Sequence, residues 1–132
     1  MAINKAMRLA LKTLTYQEID LKKNYKLKRQ LNRATHPYIK SLYQIWDHKV
    51  MVDGHDIPVR IFFPSKDKSS DKALIFFHGG GWVIGDIDSY TTVCSHMAKQ
   101  TGCIVISVDY RLAPEHKSPA GLQDCYAVAK EI

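Results

Sequence analysis

The sequence predicts an α/β fold built around a parallel pair of buried strands. Two apolar runs, residues 73–77 and 103–108, have the length and the β-branched or aromatic content of strands that are covered on both faces. Between them, apolar residues recur at helical spacing over residues 90–98. Strand, helix and strand in this order form a βαβ crossover, and the two strands of a crossover are parallel.

The first forty residues are predicted to form two helices. Apolar residues at positions 3, 7, 10, 11 and 14 follow a helical period, and a second helix runs from Thr15, in a capping box with Glu18, to about Ala34. His36 ends it, since the residue before a proline is pushed out of the helical region. These forty residues carry ten Lys or Arg and two acidic residues, so the excess of positive charge in this 132-residue chain, whose net charge is +6, lies in them.

A β-hairpin is predicted next. The apolar period changes to two over residues 46–63, and Asp53-Gly54 interrupts it as a turn. Residues 64–72 are polar and follow no period, which indicates an exposed loop before the first buried strand. The hairpin therefore forms an antiparallel edge on an otherwise mostly parallel sheet.

Two helix boundaries in the second half follow from capping residues. The helix between the buried strands is predicted to begin at Asp86 or Asp88 and to end at Gly102. The last helix is predicted to have Ser118 as its N-cap and Pro119 as its first residue, and to continue through residue 130. The order of elements is then hairpin, strand, helix, strand, helix.

Two motifs follow the two buried strands. The first is His78-Gly79-Gly80-Gly81-Trp82, and the second is Asp109-Tyr110-Arg111-Leu112-Ala113-Pro114-Glu115-His116. Glycines after a strand let backbone N–H groups approach a negative oxygen closely, as an oxyanion hole requires, although a Gly-rich loop can also merely turn the chain. A dinucleotide-binding motif is excluded, because counting from Gly79 it needs a glycine where the chain has Ile84.

Together, these two motifs closely resemble the hormone-sensitive-lipase-like family of α/β-hydrolases, which are serine carboxylesterases and lipases acting on short to medium acyl esters. The resemblance runs from about residue 50 to the C-terminus. It implies an α/β-hydrolase fold, with residues 1–40 as N-terminal cap helices and residues 41–132 as a partial core domain. It also implies that the N–H groups of Gly80 and Gly81 are oxyanion-hole donors, that His78 shapes the loop, and that no cofactor is needed.

The nucleophile of the family is not found in this sequence. It lies in G-x-S-x-G, and no glycine of the 132 residues is followed two places later by serine. The acid and the base follow the nucleophile in the family, so we expect an N-terminal, truncated part of an esterase that carries no triad and is inactive alone. Without the nucleophile strand beside it, residues 73–77 are expected to form an unpaired edge that permits self-association.

Two other functions remain open. A non-catalytic small-molecule receptor or pseudo-enzyme can share this fold, and the basic helices can form an interaction module for nucleic acid or membrane, although a solvated helix face is the commoner origin of such a cluster. We expect a small-molecule ester as substrate, no nucleic acid and no membrane span. The three cysteines, an odd number without metal-ligand spacing, indicate a cytoplasmic location and no metal site.

Several other side chains stand at positions where catalytic groups can lie, but no catalytic role is predicted for any of them. Asp109 stands where a triad acid can lie, but it is predicted to fix the loop that follows it. Arg111 and Glu115, four residues apart, are predicted to form an ion pair. Cys94 and His96 are not a dyad, because residues two apart on a helix do not face each other.

Overall fold

The computed structural model describes residue 5 and residues 21–35, 44–52, 54–65 and 70–132. Those residues form helix α1 (Leu21–Thr35), strands β1 (Ile45–Val52), β2 (His55–Phe62) and β3 (Ala73–Phe77), helix α2 (Thr91–Thr101), strand β4 (Ile104–Val108) and helix α3 (Ala120–Glu131). Of the predicted first helix, only Lys5 is described, and it is helical. The predicted capping box of Thr15 with Glu18 and the helix end at His36 lie outside the described residues.

Strands β1 and β2 form the predicted hairpin. They pair antiparallel from Ile45 opposite Phe62 to Val52 opposite His55. Gly54 in the turn has φ +85°, in the left-handed region that glycine enters without steric cost. The hairpin turn is therefore placed where the sequence predicts it.

The sheet formed by the described strands has the order β1-β2-β4-β3. Strand β4 pairs antiparallel with β2 and parallel with β3, which confirms the predicted crossover. The sheet is mixed rather than mostly parallel, because the hairpin supplies two of its four described strands. Strand β3 lies at the edge, with the side chains of Leu74 and Phe77 left 39% and 42% exposed.

Helices α2 and α3 cover opposite faces of this sheet. Alternate residues of a strand point to opposite faces, so β4 supplies both cores. The side covered by α3 contains Val50, Ile57, Val59, Ile106, Val108, Tyr110, Cys125 and Val128. The side covered by α2 contains Phe62, Cys94, Ala98 and Val105. Strand β4 is thus buried on both faces, as its continuous apolar run predicts.

The predicted start of α2 was wrong. The helix begins at Thr91, with Tyr90 at the N-cap position and no side-chain cap bond. The carboxylate of Asp86 instead accepts the backbone N–H of Ser89 at 2.8 Å, and that of Asp88 accepts an arginine N–H from β2 at 2.7 Å. Both carboxylates bind elsewhere, so neither caps the helix.

The end of α2 was predicted correctly, and the start of α3 differs by one residue. Gly102 ends α2 in the left-handed conformation, with φ +70°. The N-cap of α3 is Pro119 rather than Ser118, because the carbonyl of Pro119 accepts the N–H of Gln123 at 2.9 Å. Proline has no N–H group that would need an acceptor here, which suits a residue that stands just outside the helix.

Candidate active site

The glycine loop leaves the carboxyl end of β3, which lies beside the end of β4. Three consecutive residues have positive φ: Gly80 at +130°, Gly81 at +63° and Trp82 at +63°. The carbonyl of Gly80 accepts two backbone N–H groups, those of Val83 at 3.2 Å and Ile84 at 3.1 Å. These bonds close a tight turn directly after the strand.

The turn leaves two backbone donors unused. Within the described part of the chain, the N–H groups of Gly80 and Gly81 donate to no acceptor. A Cβ on Gly80 would lie 2.0 Å from the carbonyl oxygen of Ile84, whereas a Cβ on Gly81 would meet nothing within 4 Å. Glycine is therefore required at position 80 by both space and φ, whereas at position 81 it is only favoured, by φ.

His78 is held at the start of this loop. Its side chain is buried, and its ring stacks on Tyr110 at 4.3 Å between centroids and on Tyr90 at 5.7 Å. Its Nδ1 lies 3.0 Å from the carbonyl oxygen of Gly79, and the Tyr110 hydroxyl donates to the carbonyl of His78. Among the described residues, Nε2 of this ring has no hydrogen-bond partner.

The hydroxyl of Tyr110 is a hydrogen-bond donor. Burial raises the pKa of Tyr110 to about 12, so the group remains a donor at physiological pH. The hydroxyl bond and the stacked rings together fix the end of β4 against the start of the glycine loop.

Asp109 holds a different loop from the one predicted. Its carboxylate accepts the N–H of Ile87 at 3.3 Å, so it contacts the segment between β3 and α2 rather than the residues that follow it. Burial raises the pKa of Asp109, against a smaller opposing contribution from His78. The carboxylate accepts too few hydrogen bonds here to offset the cost of removing it from water.

The predicted ion pair of Arg111 with Glu115 does not form. Arg111 binds Asp124 of α3 instead, with Nε and Nη2 at 2.9 and 2.7 Å from the two carboxylate oxygens. His55 also contacts this carboxylate, at 2.9 Å. Glu115 pairs with Arg29 of α1 at 3.0 Å. Arg111 and Glu115 are close in sequence but bind residues of α3 and α1 instead, because these helices pack against the loop.

Comparisons with known proteins agree with this fold. Residues 74–132 match a family model described as the α/β-hydrolase fold. The chain is 40% identical over 105 residues to the carboxylesterase NlhH of Mycobacterium tuberculosis, which covers 79% of this chain and 32% of that protein. It is also 45% identical over 89 residues to lipase 2 of Moraxella, covering 62% of this chain and 21% of the lipase.

A solved structure matches nearly the whole of this chain. The hyperthermophilic esterase of the archaeon Pyrobaculum calidifontis superimposes with a TM-score of 0.71 and 30% identity, covering 99% of this chain and 44% of the esterase. This chain has the α/β-hydrolase fold. The resemblance to the hormone-sensitive-lipase-like esterases and the predicted fold are both confirmed.

The α/β-hydrolase chain spans only part of these relatives. It covers 32% and 21% of the length of the two curated relatives, and 44% of the solved esterase. The shared part contains the glycine loop and the segment after β4, since the family model begins within β3.

Two arginines of α1 attach that helix to the hydrolase core, and the sequence analysis missed both. Arg29 donates from Nε to the carbonyl of Val83 at 2.9 Å and from Nη2 to the carbonyl of Ala113 at 3.1 Å. Arg33 donates from Nε to the carboxylate of Asp86 at 2.7 Å. The two arginines are four residues apart and so lie on one face of the helix, but other pairs of basic residues in the same helix have this spacing too.

An apolar groove adjoins the glycine loop of the hydrolase. Trp82 is 49% exposed, and its ring packs on Tyr110 at 5.1 Å between centroids. Gly121 at the start of α3 admits this ring, because a Cβ there would lie 3.0 Å from it. The groove has a volume of about 280 Å³ and is lined by Trp82, Ala113, His116, Pro119 and Leu122, among others.

Two of the three cysteines are buried thiols that are poorly suited to act as nucleophiles. All three are free thiols, and burial raises the pKa of Cys94 and of Cys125 to about 11. His96 is exposed on α2 while Cys94 is buried, so the two do not form a dyad. In the ranges that the structure describes, no cluster of side chains can hold a metal ion, and no helix is suited to crossing a bilayer.

Proposed function

We propose that this chain supplies the oxyanion-hole loop of a serine carboxylesterase or lipase. The N–H groups of Gly80 and Gly81 are the donors, and His78 shapes the loop that presents them. The observation that carries the proposal is that both N–H groups lack acceptors among the described residues and stand on a tight turn at the end of β3. Carboxylesterases and a lipase are among the relatives.

The chemistry requires such donors. When a serine oxygen attacks an ester carbonyl, the carbonyl oxygen becomes negatively charged, and donors that are already oriented stabilise it without reorganisation. Collapse of this intermediate expels the alcohol and leaves an acyl-serine, which water then hydrolyses to the acid through a second oxyanion. The same two N–H groups serve both steps.

The nucleophile, acid and base come from outside these residues in this proposal. The 132 residues contain no G-x-S-x-G, and a third oxyanion donor would follow that serine. We also propose that residues 1–40 are cap helices and residues 41–132 a partial core. Within the described residues, the contacts of α1 with the two motif loops support a covering role for that helix. The engagement of Arg29 and Arg33 in these contacts counts against a basic interaction module.

A hybrid esterase tests the proposal. Residues 1–132 replace the segment that they match in the mycobacterial carboxylesterase, so that the nucleophile, acid and base come from the relative. The hybrid is expected to hydrolyse p-nitrophenyl butyrate. A hybrid that folds, shown by a cooperative thermal transition, and reacts with a serine-directed phosphonate but does not turn over esters contradicts the proposal.

The 132-residue chain alone is expected to be inactive. Oxyanion donors without a nucleophile have no intermediate to stabilise, so hydrolysis of p-nitrophenyl acetate and butyrate should not exceed that of a heat-denatured control. Release of p-nitrophenol followed by absorbance measures this. Saturable turnover that a serine-directed phosphonate abolishes would show that the chain carries its own nucleophile.

The chain alone is also expected to self-associate through β3. This strand lies at the edge of the described sheet and exposes Leu74 and Phe77, and an exposed apolar edge recruits other chains. Light scattering and ANS fluorescence over a concentration series should both rise. Leu74→Lys should lower both signals, whereas Val93→Lys, on α2 at a residue 48% exposed, adds the same charge away from the edge and should not. A monomer with low ANS binding rules out this association.

A further inference from the structure

One guanidinium group contacts both motif loops. Arg29 donates to the carbonyl of Val83 in the glycine loop, to the carbonyl of Ala113 in the loop after β4, and to both carboxylate oxygens of Glu115 at 3.0 and 3.2 Å. Its side chain is 24% exposed, and the ring of Tyr25 lies 4.9 Å below the guanidinium carbon. A planar group with five donors can meet acceptors in this arrangement, and an ammonium group cannot.

These acceptors belong to one hydrogen-bonded unit. The N–H of Ala113 donates to the carbonyl of Trp82 at 2.8 Å, which joins the two loops directly. Arg29 binds the carbonyl of the next residue, Val83, and the N–H of Val83 closes the turn on Gly80. The guanidinium therefore contacts both loops next to the Ala113–Trp82 hydrogen bond that joins them.

We infer that Arg29 is a positioning residue for the oxyanion loop, which it holds through the carbonyls of Val83 and Ala113. The inference rests on the proposed function, since the loop matters for chemistry only if its N–H groups bind an oxyanion. It makes the docking of α1 a condition for the arrangement of Gly80 and Gly81. Arg33, on Asp86, attaches the same helix one turn later.

A simpler explanation is that Arg29 merely forms a surface ion pair with Glu115. Glu115 is 43% exposed, and exposed ion pairs contribute little to stability. The two explanations differ at Glu115→Gln, which removes the carboxylate charge and keeps both carbonyl contacts. They also differ at Arg29→Lys, which keeps the charge and loses the forked geometry.

Hydrogen exchange followed by mass spectrometry on the full 132-residue chain separates them. In Arg29→Ala, exchange in peptides covering residues 78–87 and 110–116 is expected to accelerate roughly 10- to 100-fold, while residues 104–108 of β4 keep their protection. Arg29→Lys should not restore protection, and ethylguanidinium added to Arg29→Ala should restore part of it. Glu115→Gln should change loop exchange less than about threefold.

Three results would overturn the inference. Unchanged loop exchange in Arg29→Ala would show that the contacts are not needed to hold the turn. Equal acceleration in the loops and in β4 would show an effect on global stability alone. Glu115→Gln matching Arg29→Ala would assign the effect to the ion pair. No ester enters this experiment, so its outcome is separate from that of the hybrid esterase.

Discussion

Replacing Gly80 with alanine is expected to lower the kcat of the hybrid esterase by about 10² to 10³, with a much smaller change in KM. The new Cβ would lie 2.0 Å from the carbonyl oxygen of Ile84 at a φ of +130°, so the turn must open. Opening it moves the N–H groups away from the oxyanion, and that interaction forms mainly in the transition state. Steady-state kinetics on the folded variant provide the measurement.

Gly81→Ala is the matched control. It adds the same methyl group to the neighbouring residue, where φ is +63° and no atom lies within 4 Å of the Cβ. The left-handed conformation costs a non-glycine residue about 1 kcal/mol, so we expect a loss of kcat of about tenfold or less. If both variants keep the parent kcat, the glycines only turn the chain.

Removing the carboxylate of Asp124 is expected to destabilise the fold by about 3 kcal/mol. Its side chain is 2% exposed and accepts hydrogen bonds from the side chain and the backbone N–H of Arg111, as well as contacting His55. Asp124→Asn keeps the shape and removes the charge. Urea denaturation at low micromolar concentration measures the free energy of unfolding, and a change below about 0.5 kcal/mol would place the network among weak surface pairs.

The pH dependence follows from the direction of the pKa shift. Burial raises the pKa of Asp124, but the hydrogen bonds from Arg111 and His55 outweigh it, so its pKa lies below the ordinary value of 3.8. The carboxylate therefore stabilises the fold above that value, and the contribution is lost as the pH falls through the lowered pKa. The difference between the parent chain and Asp124→Asn should shrink accordingly on acidification.

Asp109 provides a control of opposite sign. Its pKa is raised by burial, so ionisation at neutral pH disfavours the folded state. Asp109→Asn is expected to increase the free energy of unfolding near neutral pH, and the gain should vanish as the pH falls below the ordinary carboxyl pKa. Destabilisation by Asp109→Asn at neutral pH would show that the bond to Ile87 requires the charged form.

Local patterns predicted the hairpin, the crossover and the position of the glycine loop, because each depends on residues close in sequence. The start of α2 was missed, because the predicted capping carboxylates bind other donors. Asp86 and Asp88 are good capping residues, but Arg33 and Arg60 bind their carboxylates. Sequence spacing shows which groups can pair locally, and it carries no information on a partner that the fold brings in.

The candidate site was predicted only in part for the same reason, because some of its contacts come from residues distant in sequence. The motif pointed to the glycines, whose role depends on φ and on their place after a strand. Arg29 was one of ten basic residues in the first forty, and only its contacts with Val83 and Ala113 distinguish it. The partner of Arg111 was missed because Asp124 lies 13 residues away, on a helix that packs back over the loop.

The turn at Gly80 bears on how a chain of this fold folds while it is being made at the ribosome. Chains emerge from the N-terminus, and early segments fold before later ones are synthesised. The bonds that close this turn come from the N–H groups of Val83 and Ile84, and the contacts that hold it come from Arg29 and Ala113. All of these groups lie at or before residue 113, so the turn can reach its folded geometry once that residue has left the ribosome.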